Sequence, residues 1–239
     1  HIPISPNLLK YSMQSHCLIF PGSASPGDSS YEEVYATIVD GAEVNDDKAQ
    51  VIFYPGQQGQ GSGRLNYKAA VQHALQECRN HSPSWIVARS FGCEIACGAL
   101  ASGEAWVRGV KGVSLWGAGL LSVYREVWPT REAQQKEIEK HKQKGTWLAE
   151  DCLDTLPGIE NLIGNVRCNV RIARGSLDDA CSSDDIKLLF DIHRSHRPEF
   201  SQQLVELSGL KHCVRKSEVS ADLLAQYYEC LFAPISTTH

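Results

Sequence analysis

The chain has 239 residues, 42% of them hydrophobic, which is enough for one large core in a single domain, and 28 acidic against 23 basic residues leave a formal charge of −5. The basic residues are scattered and form no stripe, which excludes the electrostatics of nucleic-acid binding. No apolar run reaches the roughly 20 residues that cross a bilayer, and residues 1–16 lack a charged segment followed by an apolar one, so the chain is expected to be cytoplasmic with no membrane span. The only methionine is Met13, just before the first apolar run, and residues 1–12 are read as either a remnant of expression or a processed end.

The nine cysteines are odd in number, and Cys17, Cys93, Cys97 and Cys168 lie inside apolar segments, a pattern of reduced, buried thiols rather than a disulfide framework. Cys93 and Cys97 share a helical face but have too few neighbouring ligands for zinc. No metal or cofactor is predicted.

Short apolar runs at 17–20, 50–54, 85–88, 110–116, 166–173 and 203–207 read as strands. Helix candidates at 66–79, 91–101, 184–193 and 221–232 fall between or after them. This alternation predicts an α/β fold with a mostly parallel sheet and helices on both faces. Residues 119–164 exceed what one crossover helix requires and read as a helical cap insertion. Its middle, 131–144, has high helix propensity and almost no apolar face, so it is expected to be a solvated helix, with a partner surface as the alternative. Trp116, Trp128 and Trp147, with Leu148, Leu153 and Leu156, are candidates to line a substrate pocket.

The segment Ser84-Trp85-Ile86-Val87-Ala88-Arg89-Ser90-Phe91-Gly92-Cys93-Glu94-Ile95-Ala96 runs from a buried strand through a Ser-centred turn into a helix of small residues. Such a sharp turn needs small residues two positions either side of the serine, met here by Ala88 and Gly92. Arg89, beside the serine, is expected to form a structural ion pair or to meet an anionic substrate. His212 stands in a loop just past the last apolar run, where a ring can reach back over the sheet edge. Among four neighbouring acids, Asp184 and Asp185 belong to a helix start, since Ser182 and Asp185 have capping-box spacing.

Over nearly its whole length the sequence resembles the α/β-hydrolase superfamily. The resemblance runs through Cys17 to Ser23, where Pro21 replaces the family's usual histidine, then Val51 to Gly63, the serine turn, the cap, Arg171 to Asp178 and Leu204 to His212. It implies a serine hydrolase with Ser90 as nucleophile, His212 as base and Asp178 as orienting acid, in the family's Ser, Asp, His chain order. Asp178 falls on the family's Gly-x-x-Asp turn, and Asp179 is its rival. The oxyanion donors implied are the backbone N–H groups of Phe91 and Ser23. Phe20 to Ser25 and Tyr54 to Gly56 look like loops of stand-alone thioesterases, while Arg89 stands where those enzymes carry histidine. The implied substrate is a small acyl ester or thioester. A non-catalytic binding protein that keeps the fold is the alternative.

Overall fold

The structure, a computed structural model, describes residues 16–23, 29–45, 48–57 and 64–236. The readings of residues 1–12 and of the loop positions 24–27 and 58–63 fall outside the described residues. Six strands pair in one sheet: β1 (His16–Phe20), β2 (Lys48–Val51), β3 (Trp85–Arg89), β4 (Gly112–Trp116), β5 (Asn169–Gly175) and β6 (Gln202–Leu207). Their order is β2-β1-β3-β4-β5-β6, and every pairing is parallel. The interior strands β3 and β4 are buried at all five positions, as a strand covered on both faces must be.

Strand periodicity sorts the core into two layers. Leu18, Phe20, Ile86, Ala88, Val113 and Leu115 point to one face, and Cys17, Ile19, Trp85, Val87 and Trp116 to the other. The first face carries α2 (Tyr67–His81), α3 (Phe91–Leu100) and α7 (Ser183–His196). The second is covered by α1 (Ser29–Val44) and α8 (Ala221–Phe232), whose Ile38, Ala42, Tyr227 and Leu231 complete the layer. Three helices, α4 (Leu121–Val127), α5 (Arg131–Gln143) and α6 (Ile159–Leu162), lie between β4 and β5, within the span read as a cap.

Several details differ from the sequence reading. The strands expected from 110 and 166 start at Gly112 and Asn169, because short 3₁₀ turns at Ala105–Gly109 and Ile163–Asn165 precede them. The helix α1 was not anticipated, although Val34, Ile38 and Ala42 recur at intervals of four and are buried. Its Gly41 is required by close packing, since a Cβ there would lie 2.5 Å from the Tyr228 ring. The expected capping box is present: Ser182 accepts the Asp185 N–H and the Asp185 side chain accepts the Ser182 N–H.

The chain passes from β1 outward to β2, then returns to place β3 on the other side of β1. That reversal opens a crevice at the carboxyl ends of β1 and β3, the position where open α/β sheets bind ligands.

One buried acid links the cap to the core. The Glu94 side chain on α3 accepts the Gly158 N–H at 2.8 Å through Oε1, while Oε2 has no partner among the described residues. Burial pushes its carboxyl from 4.5 up to about 7, eased by the Gly158 hydrogen bond. A raised folded-state value means that folding takes up a proton, so stability falls as pH climbs through this interval and levels off above it. Between about pH 5 and pH 8 the protein should lose about 2–3 kcal/mol that Glu94→Gln does not lose. Urea denaturation of both proteins at both pH values checks this, and parallel losses would assign the titration elsewhere.

Candidate active site

Ser90 joins β3 to α3 with φ 52° and ψ −126°, a conformation that L residues avoid and adopt only under constraint. The constraint is visible in the neighbours. Ser90 N–H donates to Trp116 O at 3.0 Å, and Cys93 N–H donates to Ser90 O at 2.8 Å. A Cβ on residue 92 would lie 2.2 Å from Phe20 O and 2.4 Å from Pro21 O, so only glycine fits. The loop after β1 runs alongside, since a Cβ on Gly22 would lie 3.4 Å from that of Ser90.

The loops after β5 and β6 are clamped together. Ser176 N–H and Leu177 N–H donate to Leu207 O and Leu210 O, each at 2.9 Å. Gly175 permits the approach, because a Cβ there would meet Leu210 O at 1.9 Å. This clamp brings both carboxylate oxygens of Asp178 to His212 Nδ1, at 3.0 and 2.9 Å. Asp178 is 6% exposed. Its Oδ1 also accepts the Ala180 N–H at 2.9 Å, and Arg174 holds its backbone carbonyl at 3.0 Å. A carboxylate only accepts, so Nδ1 carries the proton and Nε2 is the basic nitrogen of the ring. Gly117, at φ +62°, leaves the space this pair occupies: a Cβ there would fall 2.6 Å from His212 Nδ1 and 2.9 Å from Asp178 Oδ2. The neighbouring Asp179 is exposed and borders the cavity instead.

Ser90, His212, Ser23 and Phe91 border one cavity of about 510 Å³. Leu65, Val123, Trp128, Leu148, Leu153 and Leu156 supply much of its apolar wall. The opposite wall corrects the reading of the helix at 131–144. Far from being solvated all round, α5 turns Glu137, Lys140 and His141 to the cavity, while its outer positions pair among themselves, as in Lys136 with Glu132. The ring of His141 bridges Glu137 Oε1 at 3.1 Å and Ser23 Oγ at 3.2 Å. Burial holds its pKa below the usual histidine range, with the Glu137 backbone bond opposing. Tyr124 also borders the cavity; burial drives its phenol far up, and the Ser90 hydroxyl beside it eases the effect. Neither Tyr124 nor His141 was anticipated. The available signal was spacing: Tyr124 stacks on Trp128 and His141 pairs with Glu137, both four residues apart.

Of the four side chains expected to contact substrate, Trp128 alone borders this cavity. Arg89 is buried beneath the turn, with Nη2 2.6 Å from Cys213 Sγ and its guanidinium 5.5 Å from the centre of the Tyr31 ring. It forms no carboxylate ion pair among the described residues. Trp116 is fully buried on the α8 face, edge-on to Tyr227, and donates from Nε1 to His212 O at 3.0 Å. Trp147 is 55% exposed and ties the cap down through its backbone, donating to Gly56 O at 2.7 Å. None of the nine cysteines, all among the described residues, forms a disulfide, and eight are buried.

The sequence matches no family profile and no curated protein. Solved structures do match. A meta-cleavage product hydrolase from Pseudomonas fluorescens is 12% identical, with 90% of each chain covered and a TM-score of 0.64. An esterase domain from Rhodothermus marinus is 15% identical over 92% of this chain and 85% of that one, with a TM-score of 0.61. The thioesterase domain of the curacin biosynthetic pathway is 12% identical over 90% of this chain and 91% of that one, also at 0.61. With its six parallel strands, its serine turn after β3 and its likeness to these structures over nine-tenths of its length, the chain has the α/β-hydrolase fold.

Proposed function

We propose that this chain is a serine hydrolase that cleaves a small acyl ester or thioester through an acyl-enzyme. The observation that carries the reading is the Asp178–His212 pair at 2.9 Å, whose His212 borders the same cavity as a serine in a strained strand-to-helix turn. In this reading His212 Nε2 removes the Ser90 proton as Oγ attacks the acyl carbon. Asp178 fixes the ring tautomer and stabilises the imidazolium. The N–H groups of Phe91 and Ser23 receive the oxyanion; Phe91 is the first residue of α3, where N–H groups lack intrahelical partners. His212 then returns the proton to the departing alcohol or thiol. Water, activated by the same nitrogen, releases the acid.

Ester and thioester chemistry use the same groups, and both an esterase and a thioesterase stand among the similar structures. The apolar wall suits an aliphatic or aromatic acyl group, with the charged edge of α5 facing the polar part of the substrate. Trp128 and Tyr124, stacked with ring centres 5.6 Å apart, border both this cavity and a second one of about 150 Å³ that Arg125, Gln134 and Asp154 also line. In this reading the aromatic pair sets the depth available to the acyl chain.

Ser90→Ala should lower turnover by about 10⁶-fold and abolish labelling by a fluorophosphonate, whereas persistent labelling would assign the nucleophile elsewhere. Asp178→Asn should cost roughly 10⁴-fold, because an amide favours the wrong tautomer, and Asp179→Asn should cost far less. Measuring both on one ester, with folding checked by circular dichroism, tests the choice of acid. A large loss at 179 with little at 178 would reverse it.

Trp128→Ala should move the preferred acyl length upward by joining the two cavities. A panel of esters and thioesters of graded chain length reads this directly, and an unchanged optimum would remove Trp128 from the specificity wall.

A further inference from the structure

Three consecutive carbonyls in the loop after β1 each accept a side-chain hydrogen bond from elsewhere in the chain. Tyr54 OH donates to Pro21 O at 3.2 Å, Gln57 Nε2 to Gly22 O at 3.2 Å, and Thr146 Oγ1 to Ser23 O at 3.0 Å. These donors are themselves fixed. Tyr54, Gln57 and Thr146 are all fully or almost fully buried, and Gln57 Oε1 accepts the Tyr54 N–H at 2.7 Å. Gln57 and Thr146 face each other across an antiparallel bridge, so one point of pairing presents two donors to the loop.

In a trans peptide the C=O and the following N–H point in opposite directions. Holding Gly22 O against buried Gln57 therefore turns the Ser23 N–H away from the interior. Ser23 borders the cavity, and the preceding Gly22 runs beside Ser90. The Ser23 N–H donates to no group among the described residues.

We infer that Gln57 and Thr146 are positioning residues for the oxyanion hole, orienting the Gly22–Ser23 and Ser23 carbonyl groups so that the Ser23 N–H faces the reacting carbonyl. The inference rests on Ser90 being the nucleophile. It gives the cap a second role. Thr146 lies on the segment that returns from α5, and His141 on α5 itself holds Ser23 Oγ, so the insertion that walls the cavity also shapes the loop that meets the developing charge. Loss of these bonds should therefore slow small and large substrates alike. Oxyanion donors act on the transition state, so the damage belongs in kcat, with little change in KM.

Three variants separate positioning from general support. Thr146→Val removes the donor and keeps the shape, Thr146→Ser keeps the donor, and Gln57→Glu retains the acceptor for the Tyr54 N–H but cannot donate to Gly22 O when ionised. On a small activated ester, Thr146→Val and Gln57→Glu should lose about 10- to 10²-fold in kcat with KM changed by less than about threefold, within the scale of a misplaced oxyanion donor. Affinity for a trifluoromethyl ketone, whose adduct bears the same oxyanion, should fall by a matching factor. Thr146→Ser should stay within about twofold of the unaltered protein, and thermal melts confirm folding. If Gln57→Glu does not fold, the Val and Ser pair at 146 carries the test. Unchanged kcat in folded Thr146→Val, or equal losses in Thr146→Val and Thr146→Ser, overturns the inference while leaving the nucleophile reading intact. If fluorophosphonate fails to label Ser90 in the unaltered protein, the nucleophile reading falls and takes this inference with it.

Discussion

The start of α3 presses against the end of β1 so closely that no side chain fits at residue 92, and the geometry around Ser90 follows from that contact. Because the helix begins so near the strand, the chain must reverse within one residue, and Ser90 absorbs the reversal at φ 52°. Such a conformation costs on the order of 1–3 kcal/mol and persists only where the surroundings over-determine it. Here the surroundings are a strand buried at every position on one side and a helix of small buried residues on the other. The strain is therefore a consequence of packing, and the packing lifts the serine clear of the sheet edge.

Trp116, at the end of β4, connects this turn to His212. Its backbone carbonyl accepts the Ser90 N–H, and its indole donates to the carbonyl of His212. One residue thus holds both partners of the proposed proton transfer from opposite ends of its own structure. The next residue, Gly117, leaves the room that the Asp178–His212 pair fills. The last residue of β4 and the glycine after it act by positioning, which is why Trp116 lies beside His212 without bordering the cavity.

What the sequence made legible is what depends on local pattern. Five of the six strands follow from apolar runs, whereas β2, read at 50–54, pairs at Lys48–Val51; the capping box at Ser182 follows from spacing, and the Ser90 turn from a strand meeting small residues. The pairing of Asp178 rather than Asp179 with His212 agrees with the Gly-x-x-Asp turn. Side-chain direction was not legible where tertiary contacts decide it. Arg89 alternates inward along β3 and meets Cys213 from a loop 124 residues away. Trp147 turns outward because its backbone, not its ring, is used. The helix α5 looked solvated because its sequence has almost no apolar face, yet a polar cavity wall requires no such face. Gln57 carried no signal at all: a glutamine in a glycine-rich turn gives no hint that both ends of its amide are employed.

The cap is anchored at two points of different kinds. Near its carboxyl end Gly158 donates to buried Glu94 on α3, one turn beyond Ser90, and in its middle Thr146 and Trp147 bond the loops after β1 and β2. Between β4 and the Thr146 anchor lie α4 and α5, where Leu121 is the sole buried residue of α4 and α5 has none. Local opening costs least where the fewest apolar contacts are given up. The α4–α5 wall of the cavity is thus the least firmly held part of the insertion, while its firmly held parts are those that touch α3 and the loop after β1. Opening at the α4–α5 side would leave the Gly158 and Thr146 anchors in place and give up the His141 bond to Ser23 Oγ.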